Sequence, residues 1–175
     1  IKAFNKTIPA SPKVALPVIT FNDEINFHFN NEEIEVLHQE NAHTDGDSII
    51  FFKSSNVVHT GDIYFNGFYP FIDSSSEGSI DGIIKSVNYI ISRTNDQTKI
   101  IPGHGKLSNK NELTTYRDTL VILRDRMVKL IKEGKTLDEI LAMKPNADLD
   151  ATWGKGFLNP ETFIKILYGV VKDNM

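Results

Sequence analysis

The apolar residues of this chain change their period once, near residue 79, and that switch limits what the chain can fold into. Before it they alternate. Ile25, Phe27 and Phe29 fall on one side of residues 25–29, and Ile34 and Val36 on one side of residues 33–38. A period of two is that of a strand with one buried face. Asn22-Asp23 and Asn30-Asn31 supply turns between such strands, so an antiparallel meander is expected from residues 18–21, 25–29 and 33–38. Residues 48–53 and 56–59 add two strands across the Ser54-Ser55 turn.

After residue 79 the period is helical. Ile80, Ile83, Ile84, Val87, Ile90 and Ile91 make one stripe behind Ser79, a good N-cap. Residues 99–101 form a short strand. Asn109 and Glu112 have capping-box spacing and open a long amphipathic helix through Leu113, Tyr116, Leu120, Leu123, Met127 and Leu130, which Gly134 stops. Thr136 starts a short helix that ends before Pro145, and Asn159-Pro160 starts a last one along Phe163, Ile164, Leu167 and Val171. Pro9, Pro12 and Pro17 mark an irregular lead-in. Strands, then strand and helix alternating, then helices, define an α/β fold with helices over one sheet. The length of 175 residues suits a single domain over 1–175.

Composition removes several function classes. The chain has no cysteine, which excludes disulfides, thiolate zinc sites and a cysteine nucleophile. Any transition-metal site must use histidine and carboxylate. A net charge of −4 with scattered basic residues argues against nucleic acid or an anionic membrane surface as partner. No apolar run approaches the roughly 20 residues that span a bilayer. The compartment is left open.

Three loops at strand exits carry possible ligands: Ala42-His43-Thr44-Asp45-Gly46-Asp47, His59-Thr60-Gly61-Asp62 and Pro102-Gly103-His104-Gly105. If their strands share a sheet, the loops can meet at one edge. Two imidazoles and a carboxylate there would suit zinc, iron or manganese. Turn chemistry is the competing account of each, since Asp45 or Asp47 can hold His43 and Asp62 can cap its own turn. His59, at a strand end, is expected to bond nearby backbone. His28 is expected at the surface, His38 has no motif around it, and Asp45 and Asp47 are expected to tie down their loop.

Taken together, AHTDGDSIIFF, NVVHTGDIYFNGFYPFID and IIPGHG resemble the second half of the metallo-β-lactamase fold hydrolases. The resemblance runs from about residue 18 to the end and includes YRDTL and WGKGF in the helical tail. It implies the second half of an αββα sandwich, a mixed sheet with helices on its outer face. It implies His43 as a ligand of one metal, Asp62 as the carboxylate bridging both, and His104 as a ligand of the second. Zinc is the metal it implies, with iron or manganese as substitutes. The reaction implied is two-metal hydrolysis of a small-molecule ester, thioester, lactone or related bond, with Asp62 orienting the attacking water. Thioesterase-like hydrolases fit better than the cysteine-ligated zinc β-lactamases. Tyr64, Asn66, Tyr69 and Phe71 are candidates for a substrate pocket or for loop core.

The family's signature His-x-His-x-Asp-His is absent from residues 1–42. A catalytic zinc normally holds three protein ligands and an open position, and here each metal would keep one histidine and a shared carboxylate. With Ile1 rather than Met at its start, the chain is expected to be the C-terminal portion of a longer hydrolase. The parent would be the di-zinc enzyme and the 175-residue chain inactive on its own, or a non-catalytic half-domain that binds a partner. One sheet face should then need covering, by the missing N-terminal half or by a second copy of the chain.

Overall fold

A computed structural model describes residues 6–175. Five strands form one sheet in the order β1-β2-β3-β4-β5: Glu24–Phe29, Glu32–Gln39, Asp47–Phe52, Val57–His59 and Lys99–Ile101. The first three pairings are antiparallel, and β5 lies parallel to β4. The architecture is therefore α/β with a mixed sheet, as the change of period requires. α1 (Ile80–Arg93) makes the crossover between the two parallel strands, and α2 (Lys110–Lys132), α3 (Leu137–Met143), α4 (Ala147–Trp153) and α5 (Pro160–Asp173) follow.

Caps set most helix boundaries. Ser79 Oγ accepts the Gly82 N–H at 2.9 Å, and Asn109 Oδ1 accepts that of Glu112 at 3.1 Å. The return bond of a capping box is diverted there, because Glu112 accepts from Ser108 Oγ instead. Thr136 and Glu139 complete a capping box on α3, and Asn159 caps α5 with Pro160 in its first turn. α4 is a helix that the sequence pattern does not reveal. It is seven residues long, its N-cap Asn146 makes no side-chain cap bond, and it buries only Trp153. The expected strand at residues 18–21 does not form. Val18 and Ile19 are exposed there, and an apolar run without a neighbour to share the backbone hydrogen bonds is no strand. The lead-in is irregular apart from one turn at Lys13–Ala15, and its residues 1–5 lie outside the described ones.

The two sheet faces differ. Ile49, Phe51, Val58 and Ile100 point to the helices and join one core with Ile83, Val87, Leu113, Tyr116, Leu120, Phe163 and Leu167. Ile25, Val36, Ile50, His59 and Ile101 lie in register across the other face, with Phe27, Ile34, Phe52 and Val57 beside them. Among the described residues no helix covers that second face, and Phe27 and Phe29 are 40% and 68% exposed. The alternation in β1 therefore marks an apolar surface rather than the helix-side core. His28, on the opposite side of β1, is exposed as expected. Among the described residues no helix is long and apolar enough to cross a membrane.

Three buried tyrosines make the core sensitive to alkali. Burial pushes the Tyr64 phenol up to about 12 and raises Tyr69 and Tyr116 also, again chiefly by desolvation. The unfolded chain releases these protons near the ordinary value of about 10, and the folded chain holds them longer. The contribution of Tyr64 to stability is whole below about pH 10 and is lost as pH rises through about 12, and Tyr69 and Tyr116 act in the same direction. The urea midpoint should fall across that window, with tyrosinate absorbance appearing together with unfolding. Ionisation of all five tyrosines near the ordinary value, without unfolding, would contradict it.

Candidate metal centre

Strand direction gathers the three motif loops. β2 and β4 both run antiparallel to β3, and β5 runs with β4. The C-terminal ends of β2, β4 and β5 consequently share one sheet edge, where ligands commonly bind in α/β folds. His43, Asp62 and His104 each lie a few residues beyond one of those ends.

Each loop is pinned by its backbone. Ala42 is fully buried, and the segment before α1 holds this loop: Asp73 N–H donates to His43 O at 2.9 Å and Ser79 N–H to Ala42 O at 2.9 Å. Asp47 accepts the Thr44 N–H and Asp45 that of Asn41, so both aspartates tie down the loop. Asp62 sits in the turn Gly61–Ile63, whose Ile63 carbonyl accepts the buried Tyr116 hydroxyl. His59 accepts the Gly61 N–H on Nδ1 at 3.1 Å, the backbone bond expected of it. The His104 ring stacks on Phe65 with centroids 4.7 Å apart, and its carbonyl accepts the Asn66 N–H. His38 lies at the base of the first loop and bonds the Asp45 carbonyl.

The glycines beside His104 have separate reasons. Gly105 adopts a φ of 103°, a region that side chains disfavour. At Gly103 the reason is space, since a Cβ there would lie 2.4 Å from Asp62 Oδ1 and 2.5 Å from the Gly61 carbonyl oxygen. The imidazole-bearing loop and the carboxylate-bearing turn meet only because residue 103 has no side chain.

The three side chains meet pairwise through the carboxylate. His43 Nε2 is 3.7 Å from Asp62 Oδ2, and His104 Nε2 is 3.3 Å from Asp62 Oδ1. Ligands held about 2.1 Å from one tetrahedral ion stand roughly 3.4 Å apart, so each histidine–carboxylate pair has about the spacing of two ligands of an ion of its own. His43 Nδ1 donates to the Phe71 carbonyl at 2.7 Å. With Nδ1 so engaged, Nε2 is left facing the Asp62 carboxylate, where a cation between the two would meet both. A backbone carbonyl fixing the far nitrogen is the usual support of a metal-bound histidine. The set is nevertheless open. Each histidine has its own carboxylate oxygen, and among the described residues no three His, Cys, Asp or Glu side chains are placed to hold one ion.

A cavity of about 310 Å³ opens beside these groups, walled by Phe65, Phe68, Tyr69, Phe71 and Phe157. Of the four residues proposed from sequence for a pocket, Tyr69 and Phe71 line it. Tyr64 is core, with its hydroxyl on Ser108, and Asn66 bonds the Lys106 carbonyl. Phe65, Phe68 and Phe157 were not legible as site residues. Phe68 lies between the named Asn66 and Tyr69, and Phe157 belongs to WGKGF, about ninety residues later.

Solved structures share this fold. A double mutant of the sec-alkyl sulfatase PisA1 matches at 20% identity and a TM-score of 0.65, over 88% of this chain and 26% of its own. The stereoselective inverting sec-alkylsulfatase Pisa1 from Pseudomonas sp. matches at 20% and 0.64, over 86% and 26%. A metallo-β-lactamase from Pontibacter korlensis matches at 14% and 0.52, over 59% of this chain and 48% of its own. The fold is thus that of the metallo-β-lactamase type, over about half of such a lactamase. The chain spans about a quarter of the alkylsulfatases' length. No protein-family profile and no curated relative matches the sequence.

Proposed function

We propose that residues 1–175 are the C-terminal portion of a metal-dependent hydrolase and carry half of a two-metal site. The observation behind this reading is the convergence of His43 and His104 on separate oxygens of Asp62. His43 would hold one ion, His104 the other, and Asp62 both. The metals, when bound, lower the pKa of an attacking water and steady the leaving group. The chain's own contribution is positional. The Phe71 carbonyl fixes the tautomer of His43, Phe65 orients His104, and Gly103 admits Asp62. Asp62 is the group that orients the nucleophile.

The uncovered apolar face and the partial span of the fold relatives support a missing N-terminal half that brings the remaining ligands. A second copy of the chain is the other way to cover that face. The scissile bond would be an ester, thioester, lactone or related bond, and the alkylsulfatase relatives add a sulfate ester to that set. Zinc is the first choice of metal, ahead of iron and manganese.

Zinc titration of the chain, followed by imidazole resonances, tests the half-site. His43 and His104 should shift together and weakly, while His28, His38 and His59 stay still. Asp62→Ala should abolish both responses. A response at other histidines, or none at His43 and His104 in millimolar zinc, would overturn the assignment.

A further inference from the structure

The cavity beside the carboxylate is built for an apolar group. Phe65, Phe68, Phe71 and Phe157 present rings to it, and no lysine or arginine lines it. Tyr69 also contributes ring rather than hydroxyl. Its ring stacks on Phe163 at 4.1 Å and its O–H donates to Asp150 at 2.7 Å. The polar groups of the lining are His43, Asp62 and His104, gathered where the three motif loops meet. A ligand that fills this space meets polar chemistry at one end and hydrocarbon elsewhere.

Phe157 stands out among the walls. Its side chain is 72% exposed although it is large and apolar, and it meets Phe71 edge to face at 6.5 Å. The loop that carries it is anchored on both sides, by buried Trp153 and buried Leu158. Its neighbour Gly156 lies against Phe68, where a Cβ would come within 2.6 Å of the ring. The loop therefore sets Phe157 at the cavity wall while burying almost none of it in the core. Apolar surface left bare at the mouth of an apolar cavity is surface that an apolar ligand gains by covering.

We propose that this cavity receives an uncharged alkyl or aryl group of the substrate, and that Phe157 is a specificity-determining residue for its size. The role as a substrate pocket rests on the hydrolase reading, but the binding preference does not.

Binding of butanol, hexanol and octanol to the metal-free chain, followed by NMR, tests it. These probes have no charge to meet Asp62. Affinity should rise about fourfold with each added methylene, with shifts at His43, His104 and Phe157. Phe157→Ala should weaken octanol about fivefold, and Phe157→Leu should restore part of the loss. Phe29→Ala, on the uncovered sheet face, should leave octanol unchanged at these resonances. Affinity independent of chain length, or lost in Phe29→Ala but kept in Phe157→Ala, would overturn the proposal. Zinc titration fails or succeeds separately, so an apolar pocket without a metal site would be recognised as such.

Discussion

Replacing Gly82 by alanine lowers the thermal midpoint by about 10 °C, a loss of about 3 kcal/mol. The sign is the reverse of the ordinary one. Glycine inside a helix normally costs up to about 1 kcal/mol against alanine. In α1, however, a Cβ at position 82 would lie 1.8 Å from the Asn41 carbonyl oxygen and 2.5 Å from its carbon. Backbone cannot yield as a side-chain tip can. Ser79 also ties the two segments, accepting from Gly82 and donating to Asn41. The collision would push the first turn of α1 off the loop that carries His43. Gly169→Ala in α5 is the control, since nothing lies within 4 Å of its Cβ. It should raise the midpoint by about 2 °C. Calorimetry on the two variants decides the matter, and a Gly82→Ala midpoint equal to or above the parent's would refute the close-packing account.

Gly103→Ala loses about 2 kcal/mol of stability and, on the proposed half-site, at least about tenfold in zinc affinity. A Cβ there would meet the Asp62 carboxylate at 2.4 Å and the Gly61 carbonyl at 2.5 Å. Asp62 is part-exposed and can swing away, but Gly61 cannot. The carboxylate would then leave one or both histidines. Urea unfolding reads the first effect, and imidazole shifts under zinc read the second. Wild-type zinc response in a correctly folded Gly103→Ala would show that Asp62 does not need this contact.

Much of the fold is legible in residues 24–101 because local rules and tertiary packing agree there. β1, β2, β3 and β5 fall within a residue or so of the strand runs read from the sequence, and Ser79 starts α1 where its side chain says it should. Residues 18–21 misled, since Val18, Ile19 and Phe21 make a short strand-like run that pairs with no described strand. α4 escaped because its turn chemistry is weak and its boundaries depend on Trp153 being buried by other elements. Alternation puts Phe27 and Phe29 on one face but does not say which face the helices cover, and they pack on the other one.

By itself the sequence determined which groups can do chemistry. A chain without cysteine has only histidine and carboxylate to offer a transition metal, and the Gly-bounded loops place His43, Asp62 and His104 at strand exits. It also showed that no His-x-His-x-Asp-His motif stands in residues 1–42. What only the tertiary structure decided is the meeting of those groups. Strand order and direction bring three exits to one edge, and two carboxylate oxygens divide between two histidines. The aromatic wall was hidden in part, because Phe157 joins Phe65, Phe68 and Phe71 only through the packing of distant segments. Composition and spacing act along the chain, whereas a site depends on distances across it.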